Sequence, residues 1–293
     1  MYNKGIIADI KRFAVHDGDG IRTTLFLKGC SLKCIWCHNP ECIGFKPQLA
    51  YYENKCVRCG ECVRVCPTGA HEITECGHLF HRDICTACGK CIDACINNVL
   101  TYYGKEMSVE ELLPVLLEDK EFYDNSGGGV TLSGGECLCQ ADFCAELLRA
   151  LKAKGIHTAV DTCGMVSRES LDKVISYTDI FLYDIKAIDE SVHIKCTGQS
   201  NKMILENIAY IDACGKDIEV RIPYVPDFND NQIEKIAVFL KPYKNVKKVK
   251  VLPYHNYAGT KYKALGMENT LPERLPSKKE IAMAEEICAC LGI

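Results

Sequence analysis

The chain has 293 residues, 47% hydrophobic and 25% charged, which allows one large α/β domain with a small companion and an ordinary soluble core. Its net charge of −4 comes without a basic block, which excludes a typical nucleic-acid binder. No stretch approaches the roughly 18 apolar residues of a membrane span, and charges break every apolar run near the N-terminus, so no membrane helix or signal peptide is expected and a cytoplasmic location is.

In chain order, "IRTTLFLKG" (21–29) predicts a strand. It runs into "GCSLKCIWCHNPE", which spaces Cys30, Cys34 and Cys37 as C-x3-C-x2-C. A structural zinc site closes with four ligands, disulfides need pairs, and an ordinary cubane takes four thiolates. Three close cysteines therefore suggest a metal site with one position left open. In a reducing compartment, clustered cysteines are metal ligands or reactive thiols, and thirteen of the 21 cysteines fall between Cys30 and Cys95.

Next come Cys56, Cys59, Cys62 and Cys66, then Cys85, Cys88, Cys91 and Cys95, each 29 residues after its counterpart. This duplicated C-x2-C-x2-C-x3-C is the spacing of two-cluster ferredoxins, where the fourth cysteine of each run ligates the other cluster. On that rule Cys56, Cys59, Cys62 and Cys95 hold one [4Fe-4S] cluster, and Cys85, Cys88, Cys91 and Cys66 hold the second. A zinc module is the competing reading, but three cysteines spaced two residues apart suit a cubane face better. Pro67 follows Cys66 as in those ferredoxins; Ile96 follows Cys95.

Beyond the cysteines, "SVEELLPVLLEDKEFY" predicts a helix, with Ser108 as N-cap and Glu111 at the capping-box position. Strands at 129–136, 156–162, 179–186, 217–225 and 246–255 alternate with helices at 140–155 (ended by Gly155), 169–178, 201–215, 231–243 and 278–291. Alternating βα units predict a parallel sheet, as a full or partial barrel whose chemistry sits at the C-terminal strand ends. Cys30, Glu136, Asp161, Asp184, Arg221 and His255 all fall near such ends. Taken singly, each has a plain structural reading as a strand-end cation, a core histidine or a turn aspartate.

"GCSLKCIWCHNPE" resembles the cluster loop of the radical S-adenosylmethionine (SAM) superfamily, and "SGGEC" (133–137) its GGE motif. Together with "HDGDGIRTTLFLKGC", "SGGGVTLSGGE", "GIHTAVDTCG", "YDIK" and "LPYH", the chain is similar to activating enzymes of glycyl radical enzymes. The likeness covers nearly everything outside residues 48–104. It implies a partial (β/α)6 barrel formed by residues 1–47 and 105–293, with 48–104 inserted as a ferredoxin-like domain carrying two [4Fe-4S] clusters.

The resemblance also implies roles. Cys30, Cys34 and Cys37 would hold a third [4Fe-4S] cluster whose open iron is chelated by SAM. Asn39, Ser133, Gly134, Gly135, Glu136, Asp161, Asp184, Arg221 and His255 would contact SAM, with the Glu136 carboxylate at the SAM ammonium. Asp161, Thr162, Leu182 and Asp184 would form a monovalent-cation site for Na+ or K+, which would relieve repulsion between carboxylates. Lys186 would lie beside the reacting centre. Asp17 and His38 would meet the partner, a glycyl radical enzyme. Asp19 stands where the usual turn has proline, which implies a looser turn. Cys163 and Cys137 are read as buried small hydrophobes rather than ligands. The implied reaction is one-electron reduction of SAM to methionine and a 5′-deoxyadenosyl radical, which takes hydrogen from a glycine Cα of the partner. A flavodoxin or ferredoxin would supply the electron to a monomeric activase. Two other readings compete: a radical SAM enzyme with a small-molecule or peptide substrate, and an electron-transfer protein, which leaves Cys30, Cys34, Cys37 and Glu136 without a role.

Overall fold

The computed structural model describes residues 4–290; Leu291, the last residue of the expected C-terminal helix, lies outside them. Strand β1 (Lys4–Ala14) leads through the Asp17–Gly20 turn into β2 (Arg22–Leu27). After the loop with the first three cysteines come β3 (Gln48–Tyr51), α1 (Glu61–Val65), β4 (His71–Thr74), β5 (Gly77–Phe80), α2 (Lys90–Asp93) and β6 (Leu100–Tyr103). Then follow β7 (Lys105–Ser108), α3 (Val109–Leu117), α4 (Lys120–Ser126), β8 (Gly129–Gly134), α5 (Ala141–Ala153), β9 (Thr158–Thr162), α6 (Arg168–Ile175) and β10 (Ile180–Asp184). The chain continues through α7 (Glu190–Thr197), α8 (Lys202–Ala213), β11 (Asp217–Tyr224), α9 (Ile233–Leu240), β12 (Val246–Pro253), α10 (Gly259–Leu265) and α11 (Lys278–Ala289).

One eight-stranded sheet dominates, in the order β12-β11-β10-β9-β8-β2-β1-β7. The six strands from β2 to β12 pair in parallel, in chain order, while β1 pairs antiparallel with both β2 and β7. Strands such as β8 and β10 are buried on both faces, which is why they read as near-continuous apolar runs. The helices cover the sheet with apolar stripes. In α5, Phe143, Cys144, Leu147, Leu148 and Leu151 recur at helical spacing and are buried.

The capping box at Ser108 and Glu111 forms as the sequence predicts, with the Ser108 amide donating to Glu111 Oε2 at 2.8 Å. The single helix expected from Ser108 to Tyr123 instead breaks into α3 and α4 at Asp119. That carboxylate is buried and accepts from Arg12 Nε (2.7 Å) and Thr23 Oγ1 (3.0 Å), so the bond to the neighbouring strands outweighs helix continuity.

Residues 48–103 stand apart from the large sheet as two small antiparallel pairs, β3–β6 and β4–β5. The 29-residue duplication of the cysteines extends to the backbone. β5 follows β3, β6 follows β4 and α2 follows α1 at that same interval. Even the left-handed residues repeat, Arg58 (φ 56°) with Ala87 (φ 52°) and Gly60 with Gly89 (both φ 81°). Arg82 ties this unit to the rest, donating to the carbonyls of Leu49 (2.7 Å) and Ala264 in α10 (2.6 Å). No helix among the described residues is long and apolar enough to cross a membrane.

Candidate active site

The loop after β2 closes on itself. The Gly29 amide donates to the Cys42 carbonyl (2.7 Å) and the Cys30 amide to that of Ile43 (3.1 Å). The amides of Lys33 and Ile35 donate to the carbonyls of Thr197 and Cys196 at the end of α7. The Tyr262 hydroxyl donates to the Cys37 carbonyl at 3.1 Å, and Trp36 is buried against Cys196, Val225 and Tyr254. These buttresses come from distant chain segments, and sequence spacing gives no sign of them. They present Cys30, Cys34 and Cys37 to a cleft of about 320 Å³ at the C-terminal ends of the parallel strands. Burial pushes Cys34 up to about 12 and Cys37 up to about 11, whereas the hydrogen bond with Cys163 draws Cys30 down against its burial. Loading iron on these thiols must release protons.

The turn after β8 forms the next wall. A Cβ on Gly134 (φ 122°) would stand 2.2 Å from the Leu27 carbonyl oxygen, and one on Gly135 would stand 2.4 Å from that of Gly29. Both glycines thus let the turn lie backbone to backbone against the cysteine loop while they line the cleft. Glu136, expected to reach a ligand ammonium, is not among the residues that line the cleft. It is fully buried, its Oε2 accepting from Thr162 Oγ1 (2.7 Å) and the Cys163 amide (2.9 Å), its Oε1 from the Leu138 amide (3.1 Å). Three donors converge behind the turn and hold the carboxylate there. The Thr162 hydroxyl is engaged in the same network and accepts from the Gly164 amide at 2.9 Å.

Strand register assembles the polar wall. Leu182 of β10 stands beside Asp161 of β9, and Asp184 beside Arg221 of β11. Asp161 accepts from Ser133 Oγ (2.7 Å) and lies 3.6 Å from Arg221 Nη1. Lys186 Nζ donates to Asp184 Oδ2 at 2.8 Å. Burial raises Asp161 to about 6, with Asp184 adding to the rise and Arg221 opposing it. Burial works to lower Lys186, but Asp184 and the thiols of Cys34 and Cys163 outweigh it and hold its ammonium charged. Two carboxylates, an ammonium and a guanidinium thus share one wall, complementary to a zwitterionic ligand.

Arg221 also donates to the His16 carbonyl at 2.8 Å and so pins the turn before β2. In that turn the Asp17 carboxylate accepts from Thr24 Oγ1 (2.8 Å), its carbonyl from Thr131 Oγ1 (2.7 Å), and the Asp19 carbonyl from Arg22 Nη1 (3.4 Å). Four bonds hold the turn even without the usual proline. Asp17, His38 and Asn39 border the cleft. His255 lies in an adjoining recess rather than in the cleft itself, stacked on His38 at 4.0 Å, with its Nδ1 buried and lacking a partner. Cys163 and Cys137 are buried as expected, yet Cys163 also borders the cleft beside Cys30.

A second, much smaller cavity is lined by Cys56, Cys59, Cys62 and Cys95. The sulfur neighbours of Cys91 are those of Cys85, Cys88 and Cys66. The eight cysteines therefore sort crosswise between the two runs, and four thiols around one small cavity are the donor set of a cubane.

A model of the radical SAM superfamily matches residues 87–240, and one of 4Fe-4S binding domains matches 49–70. The trans-4-hydroxy-L-proline dehydratase activating enzyme of Clostridioides difficile is 43% identical over 88% of this chain and 86% of its own. The choline trimethylamine-lyase activating enzyme of Oleidesulfovibrio alaskensis is 40% identical over 98% and 95%. The benzylsuccinate synthase activating enzyme of Thauera aromatica is 36% identical over 97% and 90%. Among solved structures, Streptococcus suis SuiB bound to precursor peptide SuiA shares the fold, with a TM-score of 0.55 at 14% identity over 89% of this chain and 43% of that one. With its cysteine loop, mostly parallel sheet and full-length relatives, this chain belongs to the radical SAM activating enzymes of glycyl radical enzymes.

Proposed function

We propose that the cleft binds SAM against a [4Fe-4S] cluster on Cys30, Cys34 and Cys37 and opens onto the glycine loop of one partner glycyl radical enzyme. The observation that carries this reading is the meeting of three thiols with Asp161, Asp184, Lys186 and Arg221 in one cleft. Cys30, Cys34 and Cys37 would hold the cluster, which when bound would supply the one electron needed to cleave SAM and so allow hydrogen to be taken from the partner's glycine. Asp161 and Asp184, with the strand at Leu182 and Thr162, hold a Na+ or K+ ion that offsets the ligand carboxylate. Lys186 balances charge beside Cys34, and Gly134 and Gly135 let the ligand approach the backbone. Glu136 acts as a positioning residue, fixing the turn to the end of β9. The His38–His255 stack and Asp17 frame the mouth through which the partner loop enters.

Residues 48–104 form an inserted ferredoxin-like domain holding two further [4Fe-4S] clusters, and the six parallel strands form a partial barrel from residues 1–47 and 105–293. The activase works in the cytoplasm as a monomer, fed by a flavodoxin or ferredoxin. The test is anaerobic product analysis with the reduced, reconstituted protein. Methionine and 5′-deoxyadenosine should form in equal amounts, and their formation should vanish in Cys34→Ala. Absence of SAM cleavage by fully reduced protein would favour a pure electron-transfer role. Mössbauer counting of the iron should give three cubanes.

A further inference from the structure

The duplicated cysteine unit is symmetric in backbone but not in the side chains around its sulfurs. In the first cavity, His78 Nδ1 lies 3.4 Å from Cys56 Sγ, and His78 Nε2 lies 3.0 Å from His71 Nδ1 and 3.7 Å from Cys62 Sγ. Both imidazoles are buried, 6% and 3% exposed. Tyr51 packs edge-on against His78 at 4.6 Å, and its buried hydroxyl faces Cys56.

The residues 29 positions away are Leu49 for His78, Leu100 for His71 and Phe80 for Tyr51. Leu49 and Leu100 are buried together with Cys91 and pack against both Cys85 and Cys62, and Leu100 also lines the first cavity. The counterparts of all three polar groups are thus apolar. The backbone bonds to sulfur differ as well: on the second set the Ala70 amide donates to Cys66 Sγ (3.2 Å) and the Ala87 amide to Cys85 Sγ (3.4 Å), and on the first the Val99 amide donates to Cys95 Sγ (3.5 Å). The second set has one side-chain neighbour of its own, the Thr68 hydroxyl at 3.6 Å from Cys66, but Thr68 is exposed and shared with water.

Iron-bound thiolates accept hydrogen bonds and cannot donate them. One tautomer arrangement then satisfies the pair: His71 Nδ1–H donates to His78 Nε2, which leaves His78 with its proton on Nδ1, facing Cys56. Hydrogen bonds to cluster sulfurs stabilise the added electron and raise the reduction potential. We propose that His78, oriented by His71, donates an N–H···S bond to Cys56 and raises the reduction potential of the first auxiliary cluster. This rests on the two-cluster reading above. His78 is a positioning residue for charge rather than a ligand.

The test is a reductive titration of the reconstituted holoenzyme, monitored by electron paramagnetic resonance, with iron analysis on each sample. His78→Phe should keep full iron and move one auxiliary midpoint negative, leaving the other clusters unmoved. His71→Phe should move the same midpoint the same way by less, and His78→Gln, which keeps an N–H donor, should recover part of the shift. Unchanged midpoints in fully loaded His78→Phe would overturn the inference. So would loss of one cluster's iron in both His78→Phe and His78→Gln, which would make His78 structural. Wild-type protein holding fewer than three clusters would sink the reading beneath it, and this inference with it.

Discussion

The inward orientation of Glu136 separates two roles that the GGE motif leaves open. Removing the side chain in Glu136→Ala strands the amides of Cys163 and Leu138 and the Thr162 hydroxyl in a fully buried place. A stranded buried polar group costs about 1–3 kcal/mol. The hydroxyl can rotate to another acceptor, so the two amides dominate and the loss comes to about 2–6 kcal/mol. Against a typical stability of about 5–15 kcal/mol, this variant folds marginally. Glu136→Gln keeps an oxygen for Thr162 and Cys163 but turns its NH2 on the Leu138 amide, for a loss of about 1–3 kcal/mol. Urea unfolding of the iron-free protein, followed by circular dichroism with the m-value checked for constancy, measures both. Titration calorimetry on the reconstituted proteins measures SAM affinity. If Glu136→Ala unfolds at the wild-type midpoint and yet loses SAM affinity tenfold, the carboxylate reaches the ligand and its placement behind the turn is wrong.

Asp161 gives a pH signature. Its folded pKa of about 6 lies above the ordinary 3.8, so the folded state keeps its proton longer than the unfolded chain. Stability from this group is full below pH 4, falls as pH rises from about 4 to 6, and stays lower by about 3 kcal/mol at pH 7. Asp161→Asn should therefore be more stable than wild type at pH 7 in choline chloride and equal to it at pH 4, and Na+ or K+ should narrow the gap at pH 7. A gap independent of pH and cation would remove the cation site from Asp161. Gly135→Ala forces a Cβ to 2.4 Å from the Gly29 oxygen and 2.6 Å from that of Cys42. Overpacking of this kind costs about 1–3 kcal/mol, and iron analysis should find one cluster depleted while the auxiliary pair stays loaded. Crossed ligation predicts that Cys56→Ala with Cys95→Ala costs one cluster, whereas Cys56→Ala with Cys66→Ala costs two; the reverse outcome would assign each run its own cluster.

Much of this was legible in the sequence because it is local. The 29-residue repeat, the capping box at Ser108 and the parallel strands announce themselves by spacing and period. Strand β1 was equally available, since its burial alternates along "KGIIADIKRFA", but frequent charges make a half-exposed antiparallel strand easy to pass over. β7 and α10 are four and seven residues long and owe their place to tertiary contacts. The cleft residues could be named from the motifs, yet direction could not. Which way Glu136 turns depends on amides and a hydroxyl that only β9 and the turn bring together. The support of the cysteine loop by Thr197, Cys196 and Tyr262 joins segments more than 150 residues apart. The histidine pair beside Cys56 is not marked by any motif, because neither histidine sits in a cysteine run; its only sequence signal is the contrast between positions 29 residues apart.

The most direct measurement is electron paramagnetic resonance of the reduced, reconstituted protein mixed with SAM and a candidate glycyl radical enzyme. A protein-based glycyl doublet should appear, grow in step with 5′-deoxyadenosine, and be absent with Cys34→Ala. SAM cleavage without a doublet on any glycyl radical enzyme offered would contradict the assignment of a protein glycine as the hydrogen donor.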